Sequence, residues 1–147
     1  MVDDVLINKA AIIERCVRRA REEYQAAGAH FATDFTRQDA AILNVQRACE
    51  AALDMGQHVI RIHRLGVPQS ARDVFALLGQ ADWIETPLVA ALQRMVGFRN
   101  IAVHEYQKLL IPIAEKVISE HLEEFLQYSQ QMLHHAAKDA SPQQKTD

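Results

Sequence analysis

Thr36-Arg-Gln-Asp-Ala-Ala-Ile-Leu-Asn-Val-Gln-Arg-Ala-Cys-Glu-Ala-Ala-Leu-Asp-Met-Gly-Gln-His-Val-Ile60 is the stretch on which the fold class turns. Its apolar residues Ile42, Val45, Cys49, Ala52, Leu53, Val59 and Ile60 recur in helical register, largely at steps of three and four, which predicts one long amphipathic helix. Thr36 with Asp39 reads as the capping box that opens it. Leu65-Gly66-Val67-Pro68 places a Gly and then a Pro behind it, a helix stop.

The same period extends to both sides. Val5, Ile12, Ile13, Cys16, Val17 and Ala20 predict a first helix over 3–27, opened by Asp3 and Asp4 and ended by Gly28. Ser70-Ala-Arg-Asp73 opens a short third helix with Val74, Phe75, Leu77 and Leu78 inward, closed by Gly79 or Ala81. Thr86-Pro87 starts a fourth, which carries Leu88 to about Tyr106. Pro112 suggests a restart near Ile111, and the fifth helix holds Ile113, Val117, Ile118, Leu122, Phe125, Leu126 and Met132. No stretch alternates with period two. The expectation is an all-α, antiparallel bundle of four long helices plus one short helix, dimerising through an apolar face left over. Residues 1–135 form the bundle domain, and the polar run 136–147 reads as a flexible tail.

Composition narrows the function. The chain has 147 residues, enough for one domain. Apolar residues make up 49% and charged residues 24%, which excludes disorder for the bulk of it. The net charge of −3 argues against holding nucleic acid by bulk electrostatics, and no basic recognition helix is present, so a DNA-binding regulator is disfavoured. Any nucleic-acid contact is local. Cys16 and Cys49 lie in helical patterns with no Cys-x-x-Cys and read as reduced thiols of a cytoplasmic protein. No apolar run is long enough to span a membrane, and the acidic start is no signal peptide. Seven histidines are scattered with no His-Glu-x-x-His and no i, i+4 pair, so no metal site and no cofactor is expected. His58, His63, His121, His134 and His135 read as helix-surface residues. Arg15, Arg18, Arg19 and Arg21 with Glu14, Glu22 and Glu23 read as a salt-bridged face of the first helix, with a contact to RNA backbone as the alternative.

The fourth helix is where chemistry is legible. At 100° per residue, Leu92, Met95, Val96, Val103 and Tyr106 all fall within about 60° of Arg99. Arg99 therefore sits inside an apolar stripe. A guanidinium keeps its proton, so it must be paired or reach water. Either it snorkels, covering apolar surface with its stem, or it is held at a semi-buried surface and presented to an anion such as phosphate. Glu50 or Asp54 of the second helix could pair with it, although Arg47, Glu50 and Asp54 also read as an ordinary polar stripe. Asn100 and His104 flank the stripe as i, i+4 neighbours. An Arg followed by a His five positions later is expected roughly 0.5 times by chance in this composition and carries almost nothing alone. Adding Asn directly after the Arg and Tyr two after the His makes the pattern rare.

Arg99-Asn-Ile-Ala-Val-His-Glu-Tyr106 resembles the Arg-x-x-x-x-His-x-Tyr motif of HEPN-domain ribonuclease toxins, in the HepT-like branch. Ile42-Leu-Asn-Val-Gln-Arg-Ala-Cys-Glu50, Leu65-Gly-Val-Pro-Gln-Ser-Ala-Arg-Asp73 and Met95-Val-Gly-Phe-Arg-Asn100 are similar to that branch too, so the resemblance covers most of the chain. It implies a helical homodimer that cleaves RNA without metal, with Arg99, Asn100 and His104 of both copies facing a shared cleft. It further implies a minimal nucleotidyltransferase antitoxin as partner, which silences the toxin by attaching AMP to Tyr106. The bland reading of Tyr106, an interface tyrosine with its hydroxyl at the wet edge, is compatible with that. The competing expectation is a non-catalytic helical module that only binds a nucleotidyltransferase.

Overall fold

The computed structural model describes residues 2–104 and 107–140. α1 (Asp4–Ala27) turns back through a 3₁₀ segment at Gly28–His30 into α2 (Phe35–His63), and the two pack along each other. α3 (Ala71–Gln80) is the short helix, seated between α2 and α4 (Thr86–His104). α5 (Gln107–Lys116) passes through a π turn at Val117–His121 into α6 (Leu122–Ala140), and these three segments make one rod. The described residues are thus an all-α bundle of four long helices and one short one, without a strand.

The caps explain most of the boundaries. Asp3 closes the start of α1 by accepting from the Val5 N–H at 2.7 Å, and its other oxygen meets His58 Nε2 of α2 at 2.6 Å. Gly28 ends α1 with φ of 56°, a left-handed value that suits glycine. Ser70 accepts from the Asp73 N–H at 3.1 Å, and Asp73 returns the favour to the Gln69 N–H at 2.9 Å.

Three boundaries differ from the sequence reading. α2 is capped by Asp34, which accepts from the Arg37 N–H, and not by Thr36. The turn before the helix places Asp34 at that cap: its N–H donates to the His30 carbonyl at 2.8 Å, and buried Gln38 donates to the Phe31 carbonyl at 2.7 Å. Pro112 starts no helix but lies inside α5. It forfeits one backbone bond there, and the segment holds because Leu110 and Ala114, one turn apart, are buried. α6 continues through Ala140, with Ala136 still buried; residues 141–147 lie outside the described set.

The core runs down the rod. α1 gives it Ile13, Val17 and Ala20, α2 gives Val45, Ala52 and Val59, and α6 gives Phe125, Tyr128 and Met132, all at most 1% exposed. Each large side chain so buried contributes about 1.5–3 kcal/mol. Tyr128 spends its hydroxyl on the Ala52 carbonyl at 2.7 Å, and burial lifts its pKa well above the ordinary tyrosine value. Cys16 and Cys49 are separate buried thiols. No helix among the described residues is long and apolar enough to cross a membrane.

Candidate active site

α4 is anchored at both ends of its buried stretch. At its start, the Glu85 N–H donates to Gln131 Oε1 of α6 at 3.0 Å, and the Glu85 carbonyl accepts from Leu88 and Val89. From there Leu88, Leu92, Met95 and Val96 are buried at successive helical steps. That register carries Arg99 to a half-buried position against α2, where Nη1 donates to Glu50 Oε1 at 2.5 Å. The Arg99 side chain is 23% exposed and that of Glu50 55%. Of the two acidic candidates, Glu50 is therefore the partner of Arg99. Asp54 pairs with Lys9 of α1 at 3.2 Å.

The guanidinium is held by one edge only. Its Nε is buried and has no hydrogen-bond partner, and among the described residues Glu50 is its sole recorded acceptor. A buried N–H left in this state costs about 1–3 kcal/mol. The α2 side of the guanidinium meets the core: burial pushes the Cys49 thiol up to about 12, even though the nearby Arg99 charge pulls it down.

Asn100 and His104 are exposed on the outer side of α4. So is Val103, at 59%, although it lies on the stripe that the sequence places inward. The bundle ends beneath it: Ile101 and Ala102 are only partly covered, and the last turn of α4 projects beyond the packed core. Arg99 and His104 do not meet within one chain. Helix geometry sets them about 7.5 Å apart along the axis and about 140° around it. Tyr106 lies outside the described residues.

The other sequence candidates resolve as structure. Arg19 pairs with Glu22 and Glu23, Arg37 of α2 also holds Glu23, and Arg21 reaches Glu123 of α6. Arg19 and Arg21 of the α1 face are thus salt-bridged, whereas among the described residues Arg15, Arg18 and Glu14 form no ion pair. Of the histidines read as surface residues, His58 ties α2 to Asp3 and is only 13% exposed in its side chain. His135 stacks on the buried Trp83 at 4.0 Å, with His63 tilted against the same indole at 4.9 Å. Among the described residues no three His, Cys, Asp or Glu side chains converge as a metal site would require.

Known proteins are similar to this chain in sequence and fold. The family model for ribonuclease HepT-like proteins matches residues 13–132. The mRNA nuclease HepT of Shewanella oneidensis is 49% identical over 127 residues, covering 86% of this chain and 95% of that protein. The solved structure of a tri-AMPylated Shewanella oneidensis HEPN toxin in complex with MNT antitoxin is similar at a TM-score of 0.83 and 47% identity, over 88% of this chain and 97% of that one. A toxin–antitoxin complex with AMP-PNP gives 0.84 at 47% identity, over 88% and 98%. With the helix order, the α4 motif and the family model in agreement, the chain belongs to the ribonuclease HepT-like family.

Proposed function

We propose that this chain is the toxin of a toxin–antitoxin pair, a cytoplasmic, homodimeric, metal-independent endoribonuclease whose catalytic groups are Arg99, Asn100 and His104. The observation that carries the reading is the state of Arg99. It is a half-buried guanidinium pinned by Glu50 through one nitrogen, with its further N–H groups uncommitted among the described residues, about one and a half turns from the exposed His104 on the same helix. The roughly 140° between Arg99 and His104 favours a site completed across a two-fold axis, and exposed Val103 offers apolar surface for that contact.

RNA brings its own nucleophile, the 2′-hydroxyl. Imidazole is the side chain suited to accept and return a proton near neutrality. His104 of one copy takes the 2′ proton as the oxygen attacks phosphorus. The bond from phosphorus to the 5′-oxygen breaks, and the imidazolium of the second copy gives that oxygen a proton. The products end in a 2′,3′-cyclic phosphate and a 5′-hydroxyl. Arg99 supplies fixed, charge-assisted hydrogen bonds to the oxygens that gain negative charge in between. Asn100 orients the phosphate or the imidazole.

A nucleotidyltransferase antitoxin is the partner, and Tyr106 is the acceptor of AMP. This rests on the resemblance of the motif and on the AMPylated, antitoxin-bound state of the Shewanella toxin. AMP at Tyr106 sets bulk and negative charge within two residues of His104, where it repels RNA phosphate. The test is cleavage of labelled RNA by the chain purified without its partner, in chelator. Cleavage survives chelation and vanishes in His104→Ala with folding unchanged, and co-expression with the antitoxin adds AMP to the wild type but not to Tyr106→Phe. Activity that needs metal and persists in His104→Ala contradicts the mechanism.

A further inference from the structure

An open concavity runs along α4 from Ala91 to Ile101, on the flank away from Glu50. Its volume is about 520 Å³, within the range of small-ligand pockets. Its floor is Ala91, Met95, Phe98 and Ile101 of α4 against Ile113 and Val117, and the wall opposite α4 is built by Pro112 and the π turn. An apolar cleft of this kind calls for an occupant, and the rim says which charge it carries. Arg72, Arg94 and Lys116 stand around the mouth, and among the described residues none of the three has a carboxylate within ion-pair distance. The one acidic rim residue, Glu124, is engaged by His121 Nδ1 at 3.0 Å. Arg72 is held in place: its Nε donates to the Gln93 carbonyl at 3.3 Å, and its guanidinium lies over Gly97, where a Cβ would come within 3.0 Å of Nη2. Three unpaired cations about one pocket, in a chain of net charge −3, are a local arrangement and not a consequence of overall composition.

We infer that this cleft is a subsite for single-stranded RNA, taking one base on the apolar surface that Ile101 and Ile113 leave exposed and the adjoining phosphates on Arg72, Arg94 and Lys116. The inference rests on the ribonuclease reading above and extends it to how substrate is held. Ile101 lies one turn before His104 on α4, so the pocket reaches the His104 end of the helix, while Arg94 sits about 15 Å from His104 along the axis. A flat heterocycle with an anionic tail matches an apolar slot with a cationic lip, and single-stranded bases are commonly read by such stacking. Arg72, Arg94 and Lys116 are here binding residues, not catalytic ones.

The experiment measures cleavage of a fluorescent single-stranded oligoribonucleotide by the full chain over a range of salt concentrations. Two variants are compared with the wild type: Arg94→Ala with Lys116→Ala, and Ile113→Glu at a position that is already 39% exposed and so does not threaten folding. KM rises about tenfold in the double variant, and the slope of log KM against log salt falls by about 1.4, the value for two phosphate contacts on single-stranded nucleic acid. Ile113→Glu raises KM as well, by placing a carboxylate in the slot. Cleavage with KM and salt slope unchanged in both variants overturns the subsite and leaves the ribonuclease reading standing. Variants that split the dimer in sedimentation, without RNA present, overturn it in favour of a second copy seated in the cleft. If the wild type cuts no RNA, the ribonuclease reading fails. Fluorescence anisotropy with the same oligonucleotide then decides the pocket: about tenfold weaker binding in the double variant upholds it, and equal binding overturns it.

Discussion

Replacing Glu50 with Ala separates what this residue does for stability from what it does for Arg99. The pair is partly open to water, with side-chain exposures of 23% and 55%, so its contribution to folding is at most about 1 kcal/mol. For a chain of this size that corresponds to a fall in Tm of about 2–4 °C. Glu50 is also the only recorded acceptor for the guanidinium among the described residues, while Nε is buried without a partner. Without the carboxylate, Arg99 has nothing to hold its plane, and it turns toward solvent. Misplacement of a transition-state donor on that scale costs about 10- to 100-fold in rate. Glu50→Gln retains an acceptor oxygen and loses the charge, so its loss is smaller. The assay is single-turnover cleavage of labelled RNA at saturating enzyme, run beside a thermal melt. A rate within twofold of wild type, with Tm also unchanged, refutes the positioning of Arg99 by Glu50. A faster rate refutes it too, because it means that the carboxylate competes with phosphate for the guanidinium.

Three further outcomes follow from the geometry. In Gly56→Ala the new Cβ lands 2.6 Å from Val74 Cγ1 and 3.0 Å from both Leu78 Cδ1 and Tyr128 Oη. The gain of about 1 kcal/mol in helix propensity is outweighed by overpacking of about 1–3 kcal/mol, so Tm falls; a rise in Tm contradicts the α2–α3–α6 packing. Cys49, buried and pushed up to about 12, resists alkylation at pH 8 in the native chain and reacts in denaturant; native labelling at the rate of a free thiol contradicts its burial. Asp3 is held below the ordinary aspartate range, first by the hydrogen bond from His58 and then by the Val5 N–H. Its stabilisation of the α1 start is therefore complete above about pH 4 and is lost as pH falls through the depressed value. Hydrogen exchange at the first turn of α1 quickens over that acid window in the wild type, and Asp3→Asn removes the dependence.

Much of the fold was legible because local chemistry and burial agree. Asp3, Gly28 and Ser70 mark helix ends in the sequence and mark them in the structure. The departures are places where distant packing decides. Thr36 and Asp34 are both residue types that cap helices, and the turn through His30 and Phe31, which a helical period does not record, puts Asp34 at the cap. Pro112 reads as a breaker until Leu110 and Ala114 are seen to be buried on either side of it. The π turn at Val117–His121 has no signature in the residue pattern. For the site, Arg99 stood out as a cation in an apolar stripe, and Glu50 was one of two partners that spacing allowed. That Val103 is exposed was not legible, because a helical wheel does not record where the bundle beneath it stops. The cationic rim near Phe98 joins α3, α4 and the end of α5, and no single helix carries it.

The shared cleft is tested most directly by mixing one intact and one broken chain. Wild type and His104→Ala are co-expressed with different affinity tags, and the mixed dimer is isolated through both. It keeps both guanidinium groups and a single imidazole. If cleavage needs the imidazole of each copy across the two-fold axis, the mixed dimer is nearly as inert as the His104→Ala dimer. If it cuts RNA at about half the wild-type rate, as two independent sites would, or if no dimer can be isolated, the site is not built from two copies.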